Sequence, residues 1–254
     1  VRAKQFPAGS GSRAGFTLVE VALCLGIIVF ALVAILGVLP TGMKVQQENL
    51  EDTVVNQDGK YLLEAIRSGS RGSDELTNYV ESITIQTVNG PTVVYTNGVP
   101  AGSMRQISNG QQIVGLLSTP KFDRITGAQR IVTAQVRAMT GAANMQEKSM
   151  RDFALRYRVR VETVPFERRP PGWAEDRMAP RAQAAMRWNL YDVRLVVNWP
   201  VLPAGQELRV GNNRKIFRTL VGGELVRTNL YFGKSDEAYL FSPNTFTNTF
   251  NTRL

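Results

Sequence analysis

GFTLVEVALCLGIIVFALVAILGVLP, residues 15–40, is the stretch on which the fold turns. Residues 21–39 form a run of nineteen without one charge, and thirteen of them are Leu, Ile, Val or Phe. A helix of that length spans roughly 28 Å, close to the ~30 Å hydrocarbon core of a bilayer. Summed over its apolar side chains, insertion is favoured by roughly 4–8 kcal/mol. The run reads as a single membrane-spanning helix. Upstream, residues 1–15 hold Arg2, Lys4 and Arg13 and no acid. The basic side is expected to stay in the cytoplasm and the large C-terminal part to lie across the membrane.

Three simpler readings fit less well. A cleavable secretory signal has an apolar core of about 7–15 residues and a small-residue cut site. The run here is longer, and Val38-Leu39-Pro40-Thr41-Gly42 is a poor site. A lipoprotein signal is rejected, because Leu23 precedes Cys24 and that cysteine lies in mid-run. A plain anchor leaves Glu20 unexplained. An unpaired carboxylate in lipid costs on the order of 2.5–3.5 kcal/mol near the centre, less near the interface. Glu20 therefore needs a partner. A cut between Gly15 and Phe16 would create an amino group at Phe16, four residues before Glu20, and positions i and i+4 share a helix face. A staggered neighbour's amine would then neutralise this carboxylate.

Arg13-Ala14-Gly15, then Phe16-Thr17-Leu18-Val19-Glu20, then the apolar run closely resemble the class III signal and N-terminal segment of type IV pilins and type II secretion pseudopilins. The resemblance covers roughly residues 10–65. It implies removal of a leader, residues 1–15, by a prepilin peptidase. It further implies N-methylation of Phe16 and pairing of Glu20 with a neighbouring subunit's N-terminus. The implied partners are that peptidase, other pilin or pseudopilin subunits and an inner-membrane assembly platform. The implied location is the inner membrane, with a periplasmic globular domain, and then a periplasmic or cell-surface filament. Many family members break the helix with a proline a little earlier; this chain has Gly37 and then Pro40. Val1 is not Met, so either translation starts at an alternative codon or a few leading residues are missing.

Beyond Pro40, residues 41–68 keep a helical rhythm. Met43, Leu50, Val54, Tyr61 and Ala65 recur at spacings of seven and four, with Leu62 and Ile66 alongside. Gln46, Gln47, Glu48, Glu51, Asp52 and Gln57 fill the other face. This amphipathic half, residues 41–72, continues the assembly helix of residues 16–40 and lays its apolar stripe on a sheet. Gly59 weakens it by roughly 1 kcal/mol, and Ser68-Gly69-Ser70-Arg71-Gly72-Ser73 ends it.

Residues 73–254 read as a β-rich domain. Strand candidates at 83–88 and 92–96 flank Asn89-Gly90-Pro91 as a hairpin. Others are 111–118, 130–139, 153–164, 190–199, 214–221 and 224–232. Residues 153–161 alternate Phe, Leu, Tyr, Val, Val against Arg156, Arg158 and Arg160, a half-buried antiparallel strand. Leu195, Val196 and Val197 mark the 190–199 strand as central, and Gly222-Gly223 as the turn joining the last two strands. Residues 140–151 form a loop or short helix. Residues 165–183 form a proline-rich loop, and the tail from Phe241 adds an edge strand or frays. The expected class is α+β: a long N-terminal helix packed on an antiparallel sheet of five to eight strands, pilin-like.

Composition narrows the chemistry. The 254 residues carry a formal charge of +9, one Cys and no His. Without His there is no His triad, His-ligated metal or His pH switch. One Cys makes no internal disulfide and no Cys-rich metal site. Phosphate-loop, dinucleotide and nucleophile-elbow motifs are missing. Glu147, Asp152, Asp236 and Glu237 lack calcium-loop spacing. Glu175, Asp176 and Arg177 read as a solvated ion cluster. Trp173, Trp188 and Trp199 read as core and loop anchors. The expectation is a non-enzyme without cofactor or metal. Removal of residues 1–15 leaves +6, so the remainder is basic in its own right. Arg156, Arg158 and Arg160, with Arg168, Arg169, Arg177, Arg181 and Arg187 near in sequence, form a possible polyanion stripe for DNA. A solvated basic face, or one meeting an acidic neighbour in a filament, is the preferred reading. The preferred function is a minor pilin or pseudopilin; the alternative is a filament-tip module that captures DNA or another polyanion.

Overall fold

The computed structural model describes residues 15–69, 74–98, 105–123, 126–139, 155–166, 180–204, 207–229 and 237–247. Residues 1–14, residues 140–151, Phe153, residues 167–179 of the proline-rich segment and the tail beyond 247 lie outside these residues, as do Glu147, Asp152 and Asp236. The chain divides into two units, Val1–Leu50 and Glu51–Leu254.

One helix, α1, runs Leu18–Ser68 with Pro40 inside it. Gly69 ends it in the left-handed region, φ 69°. A Cβ there would lie 2.3 Å from the Phe241 carbonyl oxygen, so only glycine fits this C-terminal cap. In the first unit every described residue is exposed, the whole apolar run included.

In the second unit α1 buries Val55, Asp58, Gly59, Leu62, Ala65 and Ile66. This corrects the expected stripe: Leu62, Ala65 and Ile66 are buried, but Val54 is only half-buried and Tyr61 is exposed. The true face includes a carboxylate and a glycine, which an apolar period does not mark. Asp58 accepts hydrogen bonds from the Tyr157 hydroxyl at 3.0 Å and the Met139 amide at 2.8 Å. Burial, then the Asp58 charge, pushes the Tyr157 hydroxyl well above its usual range, so it stays a donor. At Gly59 a Cβ would stand 2.3 Å from the Phe217 ring. The missing side chain brings helix and sheet together.

The sheet has seven strands: β1 Val80–Thr87, β2 Thr92–Thr96, β3 Arg105–Gln106, β4 Arg130–Arg137, β5 Arg156–Pro165, β6 Leu190–Ala204 and β7 Glu207–Gly222. Their order is β3-β2-β1-β4-β5-β6-β7. Every pairing is antiparallel except β2 with β3. The fold is α+β. The hairpin at 89–91 is as expected, with Asn89 at φ 59°. Strand β6 has neighbours on both sides, but β4 is the middle strand. The inner face carries Ile83, Val132, Ala134, Val136, Tyr157, Val159, Val161, Val193, Leu195 and Val197, all buried.

Three expectations fail. Residues 111–118 are a helix, α2 (Gly110–Leu117), not a strand. Asn109 caps it by accepting from the Gln112 amide at 2.7 Å, and the Gln112 side chain accepts from the Ser108 amide at 2.8 Å. The spacing is that of a capping box, with the return bond going to the residue before the N-cap, and Ile113, Val114, Leu116 and Leu117 are buried around the helix. A short apolar run has no period to separate helix from strand. Next, Gly222-Gly223 does not join paired strands. β8 (Glu224–Asn229) pairs instead with β9 (Glu237–Ser242) in a separate two-stranded sheet. Gly223, at φ 115°, passes 2.4 Å (as a Cβ) from the Ser242 carbonyl oxygen, where chain direction changes. Last, helix α3 (Pro180–Asn189) begins inside the segment expected to be loop.

Gly59→Ala in an ordinary exposed helix would stabilise by about 1 kcal/mol. Here overpacking against Phe217 outweighs that, and a net loss of about 1–3 kcal/mol is expected in denaturant unfolding. In a Phe217→Ala background the same change should become stabilising; loss in both backgrounds would show that the ring is not the obstacle.

Candidate functional site

The first candidate is the start of α1. Thr17 caps the helix: its hydroxyl accepts from the Glu20 amide at 3.3 Å, and its carbonyl accepts from the Val21 amide at 3.2 Å. Thr17-Leu18-Val19-Glu20 is thus a Thr-x-x-Glu start signal that the sequence reading passed over. Glu20 lies in the first turn, where the helix dipole favours an anion by about 0.3–1 kcal/mol. Gly15 and Phe16 precede the cap in non-helical backbone, and Phe16 is 82% exposed. The expected i, i+4 face shared by Phe16 and Glu20 is therefore not formed, because the helix starts at Leu18. Among the described residues the Glu20 carboxylate has no ion-pair partner. The apolar run that follows is uncovered, and α1 is long and apolar enough to cross a membrane.

The second candidate is the sheet face opposite the one that packs on Asp58 and Gly59. Strand alternation places Arg156, Arg158 and Arg160 there together, as expected. Two of the three are already engaged. Arg156 and its cross-strand neighbour Arg137 lie 3.3 and 3.2 Å from the same Glu81 oxygen. Arg160 pairs with Glu162 at 3.2 Å. Arg194 and Arg218, also directly opposite one another, are bridged by Asp192 at 2.7 Å each. Like charges facing across strands repel, and each such pair here is held by one acid. The stripe is therefore less cationic than the sequence implied. Arg168, Arg169 and Arg177, with Glu175, Asp176 and Trp173, lie outside the described residues. Trp199 is buried, as an anchor should be, whereas Trp188 is more than a third exposed.

A third cluster joins the two sheets. Arg130 donates to the Tyr239 hydroxyl at 3.0 Å and pairs with Asp123 and Glu237, and Glu237 also pairs with Arg227. Each acid meets an arginine, so the cluster reads as a tie between sheets. Among the described residues no group of three His, Cys, Asp or Glu side chains could hold a metal.

Comparison of the chain with family models, with characterised proteins and with solved structures finds no match. The functional reading therefore rests on the residues themselves.

Burial pushes the Asp192 carboxyl up, but the hydrogen bonds and charges of Arg218 and Arg194 outweigh it and hold it below its ordinary value. A depressed carboxyl contributes stability above its unfolded pKa and loses it as pH falls through the folded value. The melting-temperature gap between wild type and Asp192→Asn should hold constant from pH 7 to about 5 and shrink below about pH 4. A gap that widened in acid would reverse this assignment.

Proposed function

We propose that the chain is a pilin-like filament subunit, of the minor-pilin or pseudopilin kind. A prepilin peptidase cuts it after Gly15 and methylates the new Phe16 amine. The single observation that carries this reading is the junction at the start of α1. An accessible Gly15-Phe16 bond outside the helix stands four residues before a carboxylate with no ion-pair partner among the described residues, at the edge of an uncovered apolar helix. The non-helical backbone at 15–17 suits a protease, which needs its substrate out of the helix. A freed Phe16 amine offers Glu20 a positive partner, which it lacks among the described residues. That pairing runs between subunits, donor and acceptor coming from staggered neighbours, so Phe16 need not be helical in the uncut chain.

In this account the protein acts by assembly. The helix inserts in the inner membrane with the sheet domain on the periplasmic side. The apolar helices then bundle, Glu20 sets the stagger, and the sheet domain forms the outer surface. The proposed partners are the peptidase, like subunits and the assembly platform. No catalytic role is assigned. Capture of DNA or another polyanion draws less support, since Arg156 and Arg160 are engaged by Glu81 and Glu162.

Gly15→Leu should leave an uncut precursor in the inner membrane, with mass spectrometry of the wild type finding a methylated Phe16 at the mature N-terminus. A mature N-terminus anywhere else would sink the proposal. Glu20→Val should insert and be cut normally but enter filaments at least about tenfold less well, whereas Thr17→Ala, which removes only the cap, should be incorporated nearly normally. Equal loss in both variants would mean that helix capping, not charge pairing, is what Glu20 provides.

A further inference from the structure

The exposed sheet face holds one row that differs from those beside it. Gln135 on β4, Arg158 on β5, Asn198 on β6 and Arg214 on β7 are successive cross-strand partners. Directly opposed residues point to the same side of a sheet, and strands lie about 4.8 Å apart, so the row spans about 14 Å. Above and below it the arginines are spent on Glu81, Glu162 and Asp192. Among the described residues none of the four side chains in the row makes a hydrogen bond or ion pair. Arg158 is half-buried, and its Nε is shut off from water with no acceptor. A guanidinium nitrogen without solvent or partner is costly. The Nε atoms of Arg137 and Arg156 are enclosed in the same way, but those two groups lie within 3.3 Å of Glu81, whereas no acid pairs with Arg158 among the described residues.

We infer that this row docks an acidic segment of a partner protein, with an Asp or Glu carboxylate in bidentate contact with the two terminal nitrogens of Arg158. A planar guanidinium matches a carboxylate through two parallel hydrogen bonds. Gln135 and Asn198, one on each side, supply amide donors to the remaining carboxylate lone pairs and amide acceptors for backbone N–H groups of the incoming segment. Arg214, on the edge strand, reaches a second acid. The charge balance selects a protein over nucleic acid. A nucleic-acid backbone needs a track of many free cations, and among the described residues this row offers two, which two acids of a peptide segment match. The inference concerns the sheet domain only and does not depend on cleavage after Gly15.

The test uses the full chain purified in detergent, with a fluorescent poly-L-glutamate octapeptide and a duplex oligonucleotide as probes. The peptide should bind, and Arg158→Gln should weaken it by about tenfold or more, the effect of losing a bidentate charged contact. Arg158→Lys should recover only part of this. Arg160→Gln, whose arginine is already paired, should change it less than about threefold, and unfolding of Arg158→Gln should match wild type. Absence of peptide binding, equal weakening by the Arg158 and Arg160 changes, or tighter binding of the duplex than of the peptide would each overturn the inference. An N-terminus not at Phe16 would leave it standing and remove only the assembly reading.

Discussion

Asp58 brings a carboxylate into the core of the sheet domain, and the arrangement around it rests on how that charge is met. It stands on the buried face of α1, fully out of solvent, and is held by a tyrosine hydroxyl from β5 and a main-chain amide just after β4. A carboxylate buried without such partners would cost several kcal/mol. Only one rotation and one register of the helix on the sheet bring both donors to it. Gly59, the next residue, removes the side chain that would keep Phe217 and the helix apart. Position 58 therefore gives specificity and position 59 gives proximity, and the apolar residues Val55, Leu62 and Ile66 supply the driving force around them.

That combination explains which parts of the fold were legible in the residues. The apolar run at 21–39, the hairpin at 89–91 and the alternating strand around Tyr157, Val159 and Val161 announce themselves by length or period. The buried face of α1 does not. A search for apolar periodicity selects Val54 and Tyr61 and passes over Asp58, because a polar residue with partners 81 and 99 positions away looks identical in sequence to a solvated one. The helix at Gly110–Leu117 was missed for a different reason: all of its residues but Gln111 are buried, so it has no polar stripe to set a period. Its signal was the Asn109 and Gln112 pair at capping spacing. The Gly222-Gly223 pair marked a change of direction correctly, but sequence could not say that β8 leaves for another partner strand.

The candidate sites divide in the same way. Gly15, Phe16 and Glu20 are local in sequence, so their grouping was readable, and structure adds the Thr17 cap and the non-helical backbone at the Gly15–Phe16 bond. The basic stripe was readable as a row on one strand. Its neutralisation was not, since Glu81 on β1 and Asp192 on β6 reach it through pairings that only the sheet order fixes. Counting charges along one strand overstates a field that neighbouring strands cancel.

The two halves of α1 meet opposite demands. From Glu51 onward one side is buried and the other is wet, as in any helix resting on a sheet. From Leu18 to Leu50 no side is buried, and the apolar side chains of residues 21–39 point outward all around the axis. A single partner helix would cover one stripe and leave the rest in water. Only a medium that is apolar on all sides satisfies such a segment: lipid, or the interior of a bundle of several helices. Transfer from the first to the second changes little for the leucines and valines, because both surroundings are equally apolar. Glu20 is the residue for which the two are not equivalent. In lipid it must stay at the water boundary, whereas in a bundle it can go inward if a positive group accompanies it. A carboxylate in the first turn of an otherwise featureless apolar helix is thus the group able to make association specific in register.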